Sequence, residues 1–362
     1  MTSRTFTPTV LLALLVASQS SFSQSAGSDE RLAAFATDDQ GPMTQNRIGL
    51  NYRMGLNITV DFRKLGGLAL SDPGPATGSR FNRNYDNGYS RVDSSTNAGG
   101  VTWFWGYEHS QSVQGTNLVL NSYSTPANAT SKNREDDPQH GLELTYSREL
   151  LRGKWWHFGA EGGLGYSPIS ITDRHTLKNT AYRINDAFSL NGTIPPTPPY
   201  HGTFGGPGDL ISSDPSRTTD ALARAATING ERDIDADVFV LRLGPYFEVP
   251  LYKKFSLILN GGLTLAYAHT KFSFDETVTI SDPINDIDLV SSRRRGSGSH
   301  DDFLVGGYGG AAIGYQLTRE MGLMAGAQYQ AAGRTINRDQ GKESLLDLGQ
   351  SIVVTFGVTY SF

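Results

Sequence analysis

Residues 351–362 constrain this chain more than any other stretch. Ile352, Val354, Phe356, Val358, Tyr360 and Phe362 hold every second position and are apolar, while Ser351, Thr355, Gly357, Thr359 and Ser361 between them are small or polar. Only Val353 breaks the alternation. Successive side chains of an extended chain point to opposite sides, so this period of two predicts a strand with one apolar face. The stretch carries no charge and is about as long as the roughly 9 to 11 residues a tilted strand needs to cross a bilayer.

The order polar, any, Gly, any, any, aromatic, any, aromatic is met by Thr355, Gly357, Tyr360 and Phe362. It resembles the terminal signal of Gram-negative outer-membrane β-barrel proteins, which their assembly machinery reads. The resemblance implies an outer-membrane location and that machinery as a partner of these four residues. On activity it is silent.

The same period recurs upstream. Ile48, Leu50, Tyr52, Met54, Leu56, Ile58, Val60 and Phe62 alternate with Arg47, Gly49, Asn51, Arg53, Gly55, Asn57, Thr59 and Asp61, which predicts one long strand. Residues 81–92, with Phe81, Tyr85 and Tyr89, read as a returning strand, and Val101, Trp103, Trp105 and Tyr107 then share a face. Leu142, Leu144 and Tyr146 lie opposite Glu143, Thr145 and Ser147; after a tight connection, Trp156, Phe158, Ala160, Leu164 and Tyr166 lie opposite His157, Gly159 and Glu161. Later strands follow Phe239 to Val249, Phe255 to Tyr267, Phe303 to Leu317 and Met321 to Tyr329. Trp156, Phe158, Ala160 and Gly162-Gly163-Leu164 match Phe255, Leu257, Leu259 and Gly261-Gly262-Leu263 at a constant offset, which suggests repeated hairpins.

Residues 1–26 read as a signal peptide: Arg4 is the basic start, residues 10–17 the apolar run, and small residues over 21–26 the cleavage zone. Residues 27–45 form a short periplasmic lead, and residues 46–362 one domain. No later stretch approaches the roughly 18 apolar residues of a spanning helix, so a membrane reading requires strands. A net charge of -5 argues against nucleic acid, and the absence of cysteine removes disulfides and thiolate metal sites.

Alternation alone does not say which face is wet, because a water-soluble closed sheet also alternates. Connection lengths help decide. They are tight near Gly153, Tyr252 and Arg319 and long over residues 172–233, 275–300 and 334–346, the asymmetry of a membrane barrel with short periplasmic turns and long extracellular loops. The expected fold is therefore all-β, a closed antiparallel up-and-down transmembrane barrel of about ten strands, within a range of about eight to twelve. Arg53, Glu143, Glu161, Arg242 and Glu248 fall mid-strand and are assigned to the lumen, because Arg turned to lipid at the midplane costs roughly 2 to 4 kcal/mol. Trp103, Trp105, Tyr107, Trp156, Tyr166 and Tyr267 are candidates for the bilayer interface; for the Trp103 face a packed core would look identical.

About eight strands leave an interior filled by side chains, whereas about 16 are needed for an open channel. The expected protein is thus a small, mostly plugged, non-enzymatic surface barrel, monomeric and without a cofactor. A narrow porin-like channel is the alternative, and a hydrolase with a rim site a second. Candidate pairs for the hydrolase are Asp173 with His175, and His300 with Asp301 and Asp302, where a carboxylate orients an imidazole. Arg293, Arg294 and Arg295 are candidate contacts for lipopolysaccharide phosphates among the outer-membrane lipids. Asp282, Asp286 and Asp288 lack the glycine and bidentate Glu of a calcium loop, and Gly205-Gly206-Pro207-Gly208 reads as a turn.

Overall fold

The computed structural model describes residues 46–281 and 288–362. The leader and lead expected over residues 1–45, and Asp282 and Asp286, lie outside the described residues. Eight long strands follow the alternating segments: Asn46–Leu56 (β1), Gln139–Arg152 (β2), His157–Asp173 (β3), Ser216–Tyr252 (β4), Phe255–Ser281 (β5), Asp288–Gln316 (β6), Met321–Ala331 (β7) and Ser351–Ser361 (β8). Each pairs antiparallel with the next in chain order. The last then pairs with the first, Val358 against Leu50, and the sheet closes into a ring.

The connections β2–β3, β4–β5 and β6–β7 are tight. Gly153 donates to the Trp156 carbonyl, Gln316 to Lys254, Ser361 to Glu320 and Phe362 to Asn46. The first of these bonds closes a tight turn, and the other three tie neighbouring strand ends together and gather the ends of β1 and β8 at one rim of the ring. Every long connection leaves from the opposite rim.

Eight strands close the ring, at the lower end of the expected range of about eight to twelve and fewer than the central ten, while Leu177–Ser189, Asn117–Ser124 and Val113–Gln114 extend the same sheet. Residues 81–92 contribute only Arg83–Tyr85 and Gly88–Ser90, which join Trp105–Tyr107 and Tyr200–His201 in a separate four-stranded sheet. Trp105 and Tyr107 are buried there with Tyr85, Leu118, Leu120, Phe188 and Ile211. Their apolar face covers a small core, so the assignment of Trp105 and Tyr107 to a bilayer interface is overturned. Trp103, in the same segment, donates its indole N–H to the Phe204 carbonyl at 3.2 Å, away from the ring.

The long first strand also divides. Asn57 adopts φ +58°, the left-handed region that Asn tolerates better than most residues. Beyond it Thr59–Leu65 leaves the ring and pairs with Lys342–Asp347 and Ala129–Arg134. The even positions therefore exchange surroundings: Leu50 is exposed, whereas Ile58, Val60 and Phe62 are buried with Ile169, Val238, Ala268, Phe272, Leu346 and Leu348. This apolar core fills the ring at the rim of the long connections.

Residues 172–233 are not the irregular stretch the sequence predicts. β3 runs to Asp173, Leu177–Ser189 pairs with the first part of β4, and only residues 190–215 are largely irregular. Residues 275–300 continue β5 and β6, and residues 334–346 fall in the hairpin Arg334–Asp339 and Lys342–Asp347. The extensions escape a periodicity search because their inward apolar residues, such as Ile228, Ile234, Val278 and Ile280, are widely spaced among Thr, Ala, Ser and charged residues. On their outward face cross-strand polar bonds join the strands, as between Thr172 and Asp233 or Ser170 and Asp235, while Ile169, Ile171 and Ile234 are buried on the other face.

Candidate functional site

The ring has the reverse polarity of a water-soluble closed sheet. Leu142, Leu144 and Tyr146 of β2 face outward, with Leu144 51% exposed, while Glu143 between them is 2% exposed. On β4, Leu241 and Leu243 are exposed and Arg242 is 1% exposed. The pattern continues through Leu263 and Leu265, Phe303 and Val305, Met321 and Leu323, to Phe356, Val358 and Tyr360. An apolar belt thus surrounds the closed sheet, far beyond the scattered single apolar residues of an ordinary surface.

The belt has a sharp upper edge. Tyr166, Phe239, Tyr267 and Phe303 stand side by side across four strands, with ring centroids 4.9, 6.4 and 5.0 Å apart. The next outward row is Pro168, Asp237, His269 and Asp301. The tyrosines reach into it: Tyr166 donates to Asp237 at 2.6 Å and Tyr267 to Asp301 at 2.8 Å. Trp156 stacks on Phe247 at 5.9 Å near the tight-turn rim, where Phe255 and Tyr315 also meet at 4.8 Å. Of the sequence-predicted interface aromatics, Trp156, Tyr166 and Tyr267 are therefore on the ring wall.

Inside, the strand pleat brings four of the five predicted charges together. Arg242 donates to Glu143 at 2.5 and 3.2 Å, Arg53 Nη1 lies 3.5 Å from the same carboxylate, and Arg242 Nη1 lies 3.7 Å from Glu161. The Arg242 guanidinium also covers the Tyr308 ring at 4.7 Å. Two glycines of β3 make this room: a Cβ at Gly163 would meet Arg242 Nη2 at 2.9 Å, and one at Gly165 would collide with Arg53 Nη1. Glu248 does not join the cluster. It pairs with Arg47 at 3.1 Å nearer the tight-turn rim.

Arg47 and Gln330 complete the interior and are residues the sequence reading did not single out. Gln330 accepts from Arg53 at 2.7 Å and donates to Thr264 at 3.1 Å. The signal was present for Arg47, which shares the inward register of Asn51 and Arg53. Above this polar layer, Arg53, Ile58, Ile169, Val240, Leu348 and Val353 line a cavity of only about 20 Å³, room for roughly one water.

The two histidine candidates differ. Asp173 is buried and bonds His175 Nδ1 at 2.7 Å. Burial alone would raise its carboxyl, but bonds from Ser131 and His175 and the charge of Arg232 at 3.2 Å hold it below the usual range. His175 Nε2 lies 3.4 Å from Arg134 Nη1, so a guanidinium occupies the nitrogen that a general base would use. His300 has no dyad with its neighbour: Asp301, on the opposite face of β6, bonds His269 at 2.6 Å.

Arg232 and Lys342 hold Glu276 from two sides in the same upper interior. Arg293 makes a two-bond pair with Asp275 at 2.5 and 2.7 Å, and Arg294 and Arg295 are exposed. Arg295 stands eight residues up β6 from Phe303, about 27 Å along the strand. Asp288 accepts from Ser281 at 2.8 Å, and among the described residues no group of three acid or histidine side chains is spaced to hold a metal.

No family model and no curated protein matches this chain. Among solved structures, the attachment invasion locus protein Ail of Yersinia pestis is similar at 10% identity and a TM-score of 0.28, covering 88% of this chain and 100% of its own. The outer membrane protease OmpT from Escherichia coli aligns at 11% identity and a TM-score of 0.31, over 88% of this chain and 96% of its own. The toluene transporter TodX of P. putida aligns at 9% identity and a TM-score of 0.15, over 91% of each chain. At such scores these likenesses assign no role, and the assignment rests on the ring itself.

Proposed function

We propose that the protein is an integral outer-membrane β-barrel of eight strands with a plugged lumen, which anchors a β-rich head outside the cell. The observation that carries this reading is the reversed polarity of a closed sheet: apolar side chains outside, paired charges inside. In hydrocarbon every backbone donor and acceptor must be paired within the protein, which a ring without edges achieves. Strands with belts of about ten residues match the length a tilted strand needs to cross. The three tight turns at one rim are the periplasmic ones and the long connections are extracellular. Thr355, Gly357, Tyr360 and Phe362 act as the assembly signal, and a cleaved leader over residues 1–26 directs export.

The lumen does not conduct. Four charges neutralise one another across its middle, and the core around Phe62, Phe272 and Leu346 closes its outer end. No catalytic role is assigned to Asp173 and His175, whose nitrogen atoms are both engaged. Membrane fractionation followed by electrophoresis with and without boiling tests the barrel: the expected outcome is an outer-membrane protein whose mobility shifts on heating, and recovery in the soluble periplasm would overturn it. Planar-bilayer recording tests the plug, since steady large openings would show an open pore.

A further inference from the structure

A groove of about 640 Å³ indents the outer wall of β2, β3 and β4 toward the tight-turn rim, within the range of about 300–1,000 Å³ typical of ligand sites. Register builds it. Arg148 stands across from Ala160 and Tyr146 from Gly162, while Ala160 faces Pro245 and Gly162 faces Leu243. Ala160, Gly162 and Pro245 make a low floor; Tyr146, Leu150, Phe158 and Leu243 make the walls. A Cβ at Gly162 would meet Leu243 Cδ2 at 3.3 Å, so this floor is open for want of a side chain. Glu161, which also borders the groove, turns its carboxylate inward to Arg242 and Asn260.

Arg148 is the one outward charge in this lining. It is exposed, flanked along β2 by Tyr146 and Leu150, and makes no ion pair or side-chain hydrogen bond among the described residues. Its register partner on β1 is Asn46, which bonds Phe362, so Arg148 stands level with the end of the last strand. A cation on an apolar wall is stable only with an anionic partner or at the edge of the hydrocarbon. Arg also offers a planar fork that matches phosphate oxygens.

We propose that the groove holds one glycerophospholipid, its phosphate on Arg148 and one acyl chain lying over Ala160 and Gly162 between Tyr146 and Leu243. The proposal rests on the membrane reading above. Native mass spectrometry of the full chain, extracted from membranes in mild detergent and titrated with dioleoylphosphatidylglycerol, tests it. Wild type and Arg148→Lys are expected to retain one lipid per chain. Arg148→Gln, which removes the charge, and Ala160→Leu, which fills the floor, are expected to bind about ten-fold more weakly, with heat-modifiable mobility showing that each variant is folded. Equal lipid binding by all four folded proteins would overturn the groove and leave the barrel standing. Wild type in the soluble fraction would overturn both.

Discussion

Glu143 holds two guanidinium groups in the ring at once. Its carboxylate is almost fully buried between Arg53 and Arg242, and neither arginine has another carboxylate as close. Truncating one partner of a buried pair leaves an uncompensated charge, at a cost of about 3 to 5 kcal/mol. Glu143→Ala is expected to destabilise the folded barrel by about that much in urea titrations followed by the heat-shifted gel band, and more than Leu144→Ala on the opposite face. A cost no greater than that of Leu144→Ala would mean the cluster is hydrated. Asp173 gives a pH signature. Its folded carboxyl is depressed, so the folded state holds fewer protons there, and the stabilisation is complete above the ordinary Asp value of about 3.9 and lost as pH falls through the depressed one. Unfolding of the head, followed by tryptophan fluorescence from pH 6 down to about 2, is expected to lose stability over that acid window in wild type and to flatten in Asp173→Asn.

The closing strand β8 joins both neighbours, with Val358 against Leu50 on one side and Leu323 on the other. Removing Phe362 deletes the outermost aromatic of that seam and its bond to Asn46. The expected outcome is a several-fold fall in outer-membrane yield, of the order set by the loss of about 1 kcal/mol or more of assembly free energy, as read by quantitative immunoblot of membrane fractions. Undiminished yield would remove Phe362 from the assembly signal. The ring strands were legible in the sequence because an apolar outer wall and a polar interior alternate with the pleat, and Arg53, Glu143, Glu161 and Arg242 were legible because a charge in such a strand falls on the polar side. The break at Asn57 was not, since Ile58, Val60 and Phe62 continue the period while facing protein instead. Trp105 and Tyr107 misled for the same reason: an apolar stripe records that something covers it, without recording what. The extensions of β4, β5 and β6 were missed because their cross-strand partners lie tens of residues away, as Asp235 and Lys271 do.

As a whole, the molecule joins a ring whose outside is apolar to a β-rich upper part with its own small cores around Trp105 and around Ala226. Residues 190–215 are the longest described connection with little strand, and chain that is not held in a sheet is where proteases cut. Treating intact cells with a broad-specificity protease is expected to nick this segment while the ring strands stay in the membrane and keep their heat-shifted mobility. Protection of residues 190–215 in intact cells, with cleavage only after the outer membrane is broken, would reverse the assigned sidedness. The row of Tyr166, Phe239, Tyr267 and Phe303 has a further consequence. One pleat, about 7 Å of strand, separates Phe239 from Asp237, Tyr267 from His269 and Phe303 from Asp301. On the proposed membrane reading, that row is the protein's own waterline. In the proposed membrane setting, a bilayer whose thickness differs from the belt would be met by tilt of the barrel or deformation of the lipid at a modest cost, enough to sort these molecules by local thickness.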